Sequence, residues 1–211
     1  MKPEWKRIGV IGASGGTGRL VVERVGATGN VARALVRDPA KVSFRNQPNV
    51  EVVVGDVLDV DLVAFVSGCD AVISCLGSPI GDVDSVASIG TRRLVEAMQV
   101  SGVDRIVFVS SDGAGASRRE LPLPLRMGAW FTRRYLADKE LAERALRESS
   151  LNWTIVRPSR LTDGPESGQT ATSREDRVKS EVSREDLATF LLQVVDRPET
   201  IGQCFGLFTR D

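Results

Sequence analysis

Gly12, Gly15 and Gly18 stand at the spacing of a phosphate-cradling turn, and Tyr135 stands four residues before Lys139. The apolar run Ile8-Gly9-Val10-Ile11 leads directly into Gly12-Ala13-Ser14-Gly15-Gly16-Thr17-Gly18, and Leu20, Val21, Val22 and Val25 follow at helical spacing. In such a strand–turn–helix unit the first glycine permits a tight turn, and the second lets the main chain approach a diphosphate. The third lets the helix pack closely on the strand. Amides at the new helix's N-terminus, from Ser14 through Gly16 and Thr17, then face the anion. Placement between a strand and a helix favours a dinucleotide site over a glycine-rich turn without a ligand. Tyr135 and Lys139 share one helical face, within reach of a common ligand. A phenol with an ordinary pKa of about 10 needs a neighbouring cation to exchange protons near neutrality. The alternative is a tyrosine packed on the apolar side of an amphipathic helix. The chain has no histidine, so Ser-His-Asp chemistry is excluded and any proton transfer falls to Tyr, Lys, Asp, Glu or the substrate.

Those residues need a scaffold, and the hydrophobic pattern supplies one. Strands are expected at Arg7 to Ile11, Val31 to Val36, Val50 to Val54, Ala71 to Cys75, Arg105 to Ser110 and Trp153 to Arg157, with a last one at Gln203 to Phe208. They are short, rich in Val and Ile, and mostly lack polar alternation, as strands buried on both faces of a parallel sheet do. Helical patterns fall between them, at Thr17 to Ala27, Leu58 to Val66, Val86 to Ser101, Met127 to Glu148 and Arg184 to Val195. The alternation predicts an α/β, Rossmann-type, doubly wound and mainly parallel sheet with helices on both faces, in a single domain spanning residues 1–211. Two polar, Gly- and Pro-containing stretches at about residues 112–126 and 162–182 are expected to overhang one sheet edge. They are either walls of a substrate pocket or plain solvated connections.

Composition narrows the partners. Lys plus Arg equals Asp plus Glu at 28 each, so no net charge draws the chain to nucleic acid or an anionic membrane. No signal-peptide core follows Met1, and no apolar run has the length of a membrane span, so a cytoplasmic location is expected. The three cysteines, Cys69, Cys75 and Cys204, form no C-x-x-C pair and are odd in number, which argues against a metal site and a disulfide framework. The expected partner is a small-molecule acceptor, with the chain a monomer or homodimer.

Ligands of doubly wound sheets bind beyond the carboxyl ends of the strands, so strand-end residues are the candidates. The second strand ends at Val36-Arg37-Asp38. Arg37 can pair bidentately with a 2′-phosphate, which selects NADP, with NAD the less favoured cofactor. Asp38 would take the NAD role, accepting from the ribose hydroxyls, if the strand ran one residue longer. Asp56 with the amide of Val57 is placed near the adenine, or else Asp56 caps the helix after it. Leu76-Gly77 closes the fourth strand, where a bare backbone can pass close to a ribose. Ser183 with Asp186 reads as a helix cap, and Arg157-Pro158 as a strand end.

Taken together, these motifs resemble the atypical short-chain dehydrogenase/reductase superfamily, and within it the small single-domain NAD(P)H-binding proteins similar to biliverdin-IXβ reductase (flavin reductase). The resemblance runs through Gly12 to Gly18, Leu35-Val36-Arg37-Asp38, Val53 to Val57, Asp70 to Ile73 with Leu76-Gly77, Gly102 to Val107, Leu146 to Ser149, Ile155 to Pro158 and Ser183 to Ala188. It implies an NADPH-dependent oxidoreductase passing hydride to a flavin, quinone or carbonyl compound. By the same resemblance Tyr135 protonates the substrate oxygen, and Lys139 holds the nicotinamide ribose and lowers the phenol's pKa. Ser110 or Ser111 then polarises the carbonyl. The biliverdin-IXβ-reductase-like relatives generally lack this tyrosine and take the proton from solvent or substrate. Met127, Trp130 and Phe131 are further candidates, for stacking on a planar substrate or for core packing. The other class of function is a redox-sensing regulatory protein that binds NADP(H) without turnover.

Overall fold

The computed structural model describes residues 6–77, 85–115, 132–173 and 178–210. Its Val- and Ile-rich runs form strands because each is covered on both faces. In β5 (Arg105–Val109), Ile106 and Phe108 face one layer of helices while Val107 and Val109 face the other. Alternate side chains of a strand point to opposite faces, so a strand between two helical layers has to be apolar throughout.

The other strands are β1 (Arg7–Ile11), β2 (Val31–Val36), β3 (Val50–Val54), β4 (Ala71–Ser74), β6 (Asn152–Pro158) and β11 (Gln203–Arg210). They hydrogen-bond in the order β3-β2-β1-β4-β5-β6-β11, every pair parallel. Both β2 and β4 flank β1, with Ile8 opposite Ala32 on one side and Ala71 on the other. The sheet therefore grows outward in two directions from β1, and the crevice at that switch point is where such folds bind ligands. Helices α1 (Gly16–Ala27) and α5 (Arg184–Val195) cover one face through Val21, Val22, Val25, Leu187, Leu191 and Val194. Helices α2 (Leu62–Val66), α3 (Val86–Ser101) and α4 (Arg133–Arg147) cover the other through Phe65, Leu94, Met98 and Leu146. The predicted doubly wound sheet is thus borne out.

Most expected boundaries agree to within a residue, and the exceptions have local causes. The helix expected from Leu58 starts at Leu62, because Asp56 closes a turn first: its Oδ1 accepts from Leu58 N at 2.9 Å and its carbonyl from Val60 N at 2.9 Å. Asp61, not Asp56, is the cap, accepting from Ala64 N at 3.0 Å. The helix expected from Met127 is described from Arg133; residues 127–131 lie outside the described residues.

The stretch read as a polar loop at 162–182 carries short strands: β7 (Arg160–Thr162), β8 (Thr170–Ala171), β9 (Val178–Lys179) and β10 (Glu181–Ser183). β7 pairs with β10, while β8 and β9 run antiparallel to β11. Segments of two or three residues are too short to carry a period. Ser183 caps α5 as expected, accepting from Asp186 N at 3.0 Å. The Asp186 carboxylate also accepts from the amides of Ser167 and Gly168 at 3.0 and 2.9 Å, which fastens this stretch to α5.

Candidate active site

The glycine turn has the geometry its spacing predicts. Gly12 has φ +74°, and a Cβ there would lie 2.6 Å from the carbonyl oxygen of Cys75. A Cβ on Gly18 would lie 2.2 Å from the Gly12 oxygen, so only glycine lets α1 sit this close to β1. Gly15 donates to Gly12 O at 3.0 Å and is the N-cap of α1. That helix start has no side-chain cap and no acidic residue in its first turn. Its partial positive charge therefore meets no competing carboxylate there, as an anion site requires.

From this turn a cleft of about 680 Å³ runs along the strand ends, within the range of small-molecule sites. Gly12, Ser14, Gly15, Gly16, Thr17 and Gly18 line it at the turn. Arg37, Asp56 and Val57 line one end; Leu76, Gly77, Ser110, Tyr135 and Lys139 line the other. Of the residues singled out as catalytic, Ser111 alone is not in the lining; its hydroxyl donates to Asp112 O at 3.3 Å, and its influence on Tyr135 lowers the phenol's pKa. Of the two long stretches, only Leu161 and Arg184, which flank 162–182, line the cleft among the described residues. Between them Glu166 is drawn onto α1 and α5 by Arg24 and Thr189, at 2.8 Å each. Residues 116–131, with Trp130, Phe131 and Met127, lie outside the described residues.

The reacting end is built across the ends of β4 and β5. Lys139 is buried; its Nζ donates to the carbonyl of Leu76, and to that of Val109 at 2.7 Å. An ammonium has three N–H donors, so these two acceptors do not exhaust it. Burial pulls its pKa down to about 8. Gly77 lies against this pair: a Cβ there would be 3.4 Å from Lys139 Nζ and 3.8 Å from Tyr135 Oη. The Tyr135 phenol sits above the ordinary tyrosine value, first by burial and then by the Asp138 charge, with the Ser111 side chain opposing both. The expectation that Lys139 lowers this pKa is thus not met: the ammonium lies 5.8 Å from the ring centroid and donates to carbonyls instead. Asp138 itself holds the start of α3, accepting from Ala87 N and Ser88 N at 3.0 Å each.

Ser110 has a different partner. Its hydroxyl donates to Glu143 Oε1 at 2.6 Å, and Arg157 holds the same carboxylate through Nε at 2.8 Å and Nη2 at 2.5 Å. Burial alone would raise the Glu143 pKa, but the bonds from Arg157 and Ser110 and the nearby arginine charges bring it below the ordinary glutamate value. Arg157 is therefore more than a strand end. It closes a buried ion pair beneath the cleft, which sequence spacing gave no way to see.

At the other end Arg37 is exposed, with Nη1 4.0 Å from Asp56 Oδ2. Asp38 is occupied in capping the 3₁₀ turn at Pro39–Lys41, accepting from Ala40 N at 3.0 Å. That turn brings Lys41, which the sequence reading missed, into a second hollow of about 420 Å³ lined also by Ser14, Arg37 and Asp38. A basic residue three positions after Asp38 was the available signal. The bare glycine turn, the continuous cleft and the cationic hollow together fit a nicotinamide dinucleotide. Gly12 to Gly18 would hold its diphosphate, Arg37 and Lys41 its adenosine end, and Lys139 its nicotinamide ribose.

Comparison with known proteins agrees. A family model described as NAD(P)H-binding matches residues 12–198, and the chain belongs to that family. It is similar to an uncharacterized chloroplastic protein of Arabidopsis thaliana, 33% identical over 92% of this chain and 74% of the relative. Among solved structures, an anaerobillin reductase of Escherichia coli is 25% identical with a TM-score of 0.83, covering 97% of this chain and 98% of that one. A short-chain dehydrogenase/reductase of Veillonella parvula, solved in complex with NADP, shares the fold at a TM-score of 0.82 and 20% identity, over 96% and 94% of the two chains. The resemblance to the atypical short-chain dehydrogenase/reductase superfamily is borne out, and the chain is an NAD(P)-binding Rossmann protein of oxidoreductase type. Among the described residues, no helix is long and apolar enough to cross a membrane.

Proposed function

We propose that the protein is an NADPH-dependent reductase of a small planar acceptor: a flavin, a quinone or a carbonyl compound. One observation carries this reading. A single cleft joins the bare glycine turn to Tyr135, Ser110 and Lys139. The dinucleotide, when bound, supplies hydride at its nicotinamide ring. Lys139 orients the adjoining ribose and stays anchored to the Leu76 and Val109 carbonyls. Tyr135, with its pKa raised, is protonated at neutral pH and suited to donate a proton to an acceptor oxygen rather than remove one. Similarity to a protein named an anaerobillin reductase supports a reducible organic acceptor.

Arg37 and Lys41 support NADPH over NADH. Each side chain is 80% exposed, so each contributes modestly. Replacing both by Ala is expected to weaken NADPH binding by about 1.5–3 kcal/mol and leave NADH nearly unchanged, since only the 2′-phosphate is lost as a partner. Calorimetric titration of both coenzymes checks this, and equal affinities in the unaltered protein would refute the preference. NADPH oxidation against a panel of flavins, quinones and carbonyl compounds checks turnover. A second reading, a dinucleotide-responsive regulator without turnover, is favoured by one feature: Lys139 is engaged by carbonyls and leaves the phenol unactivated as a base. Tight NADPH binding with no oxidation across the panel would select it.

A further inference from the structure

We propose that Arg184 is a diphosphate-binding residue which leaves Asp163 for the dinucleotide when the cleft fills. The inference rests on the reading of the cleft as a dinucleotide site. Arg184 opens α5, yet its side chain lies on the first residue of α1. A Cβ on Gly16 would stand 2.7 Å from Arg184 Cδ and 2.8 Å from its Nε. Gly16 is not one of the three glycines that the turn itself demands. Its bareness is what admits the arginine stem beside the helix start where the diphosphate belongs. Arg184 also lines the cleft.

The backbone beneath this side chain is held from both sides. Ser183 caps α5, and Arg24 of α1 donates to Glu185 O at 2.7 Å and Glu185 Oε2 at 2.8 Å. Only the guanidinium end is free to change partner. Its present partner is Asp163, with Nη1 to Oδ1 at 2.6 Å and the carboxylate side chain 89% exposed. An ion pair so open to water is weak. A diphosphate offers more charge and several oxygens that a guanidinium fork can take two at a time. The exchange therefore runs toward the ligand, with Asp163 holding the arginine ready beside the turn.

The test is calorimetric titration of NADP⁺, NAD⁺ and adenosine 2′-monophosphate into the full chain and its variants. Arg184→Gln is expected to weaken both dinucleotides by the same factor, about tenfold, and to leave the monophosphate unchanged. Asp163→Asn removes the competing carboxylate and is expected to tighten both dinucleotides by about threefold. Gly16→Ala displaces the arginine stem and is expected to follow Arg184→Gln. Unchanged dinucleotide affinity in Arg184→Gln would overturn the inference, as would a loss confined to NADP⁺ and the monophosphate. Should Arg184→Gln fail to fold, Asp163→Asn decides, and weaker binding there counts against it. If the unaltered chain binds NADP⁺ while Arg184→Gln is indifferent, the inference alone falls; if it binds neither dinucleotide, the cofactor reading falls with it.

Discussion

Two adjacent serines at the end of β5 have been sorted by their partners. Glu143 is ionised and can only accept, so the Ser110 proton points inward, away from any carbonyl in the cleft. Ser111 is the hydroxyl that acts on the Tyr135 phenol, opposing the rise in its pKa. On the proposed mechanism Ser111 and Tyr135 act together, and Ser110 is a structural link to the ion pair. Tyr135→Phe is expected to reduce turnover by about 10²–10⁴-fold while leaving NADPH affinity unchanged, because a general acid is lost and no cofactor contact is. In the unaltered protein the rate should fall first near pH 8, where Lys139 loses its charge, and again as pH rises through the phenol's raised pKa, and the variant should lose only the second fall. A pH–rate profile of both proteins checks it, and an upper limb that persists in the variant would assign that titration elsewhere.

At the scale of elements, the β1–α1 unit shows how one atom decides a packing distance. Gly18 and Gly26 both lie in α1, and helix propensity alone favours Ala at each. Gly26 has room, with the nearest atoms to a new Cβ at 3.5 Å, whereas at Gly18 the Gly12 oxygen stands at 2.2 Å. Gly26→Ala is therefore expected to stabilise by about 0.5–1 kcal/mol. Gly18→Ala should destabilise by about 2 kcal/mol or more, because backbone rather than a flexible side chain has to give way. Denaturant unfolding of the two variants gives the comparison, and a neutral Gly18→Ala would mean that α1 is not seated as described. Boundaries legible in the sequence, such as those of β2, β3, α3 and α5, are ones where an apolar run meets a polar residue, glycine or a cap. The turn at Asp56 to Val60 delayed α2 because a single aspartate can close either a turn or a helix.

For the whole molecule, two carboxylates tie separate parts together and set its acid stability. Glu143 joins α4 to β6 and the end of β5; Asp186 joins α5 to the turn at Ser167 and Gly168. Burial opposes ionisation of both, but arginine and serine bonds at Glu143, and serine and amide bonds at Asp186, leave each below its ordinary value of 4.5 or 3.8. A depressed carboxyl pKa contributes stability above the unfolded value, and that contribution is lost as pH falls through the folded one. Melting temperature is expected to hold near neutrality and to drop once pH passes below those ordinary values. Glu143→Gln should flatten part of that drop and lower the melting temperature at pH 7, because the bonds from Arg157 and Ser110 lose their charged acceptor. Calorimetry of both proteins from acid to neutral pH checks this, and an unaltered acid limb in the variant would exclude Glu143 as its source.

The amino-acid sequence by itself determined the alternation of strands and helices, the doubly wound sheet and the glycine turn. It also put Arg37 among the strand-end candidates, and Tyr135 with Lys139 on one face of a helix. All of these follow from neighbours along the chain, whose period and turn chemistry are local properties. Only the tertiary structure decided which groups meet: Lys139 with the Leu76 carbonyl, Ser110 with Glu143, Glu143 with Arg157, and the Arg184 stem with bare Gly16. Those partners come from different elements, and only the packing of helices on the sheet sets the distance between them.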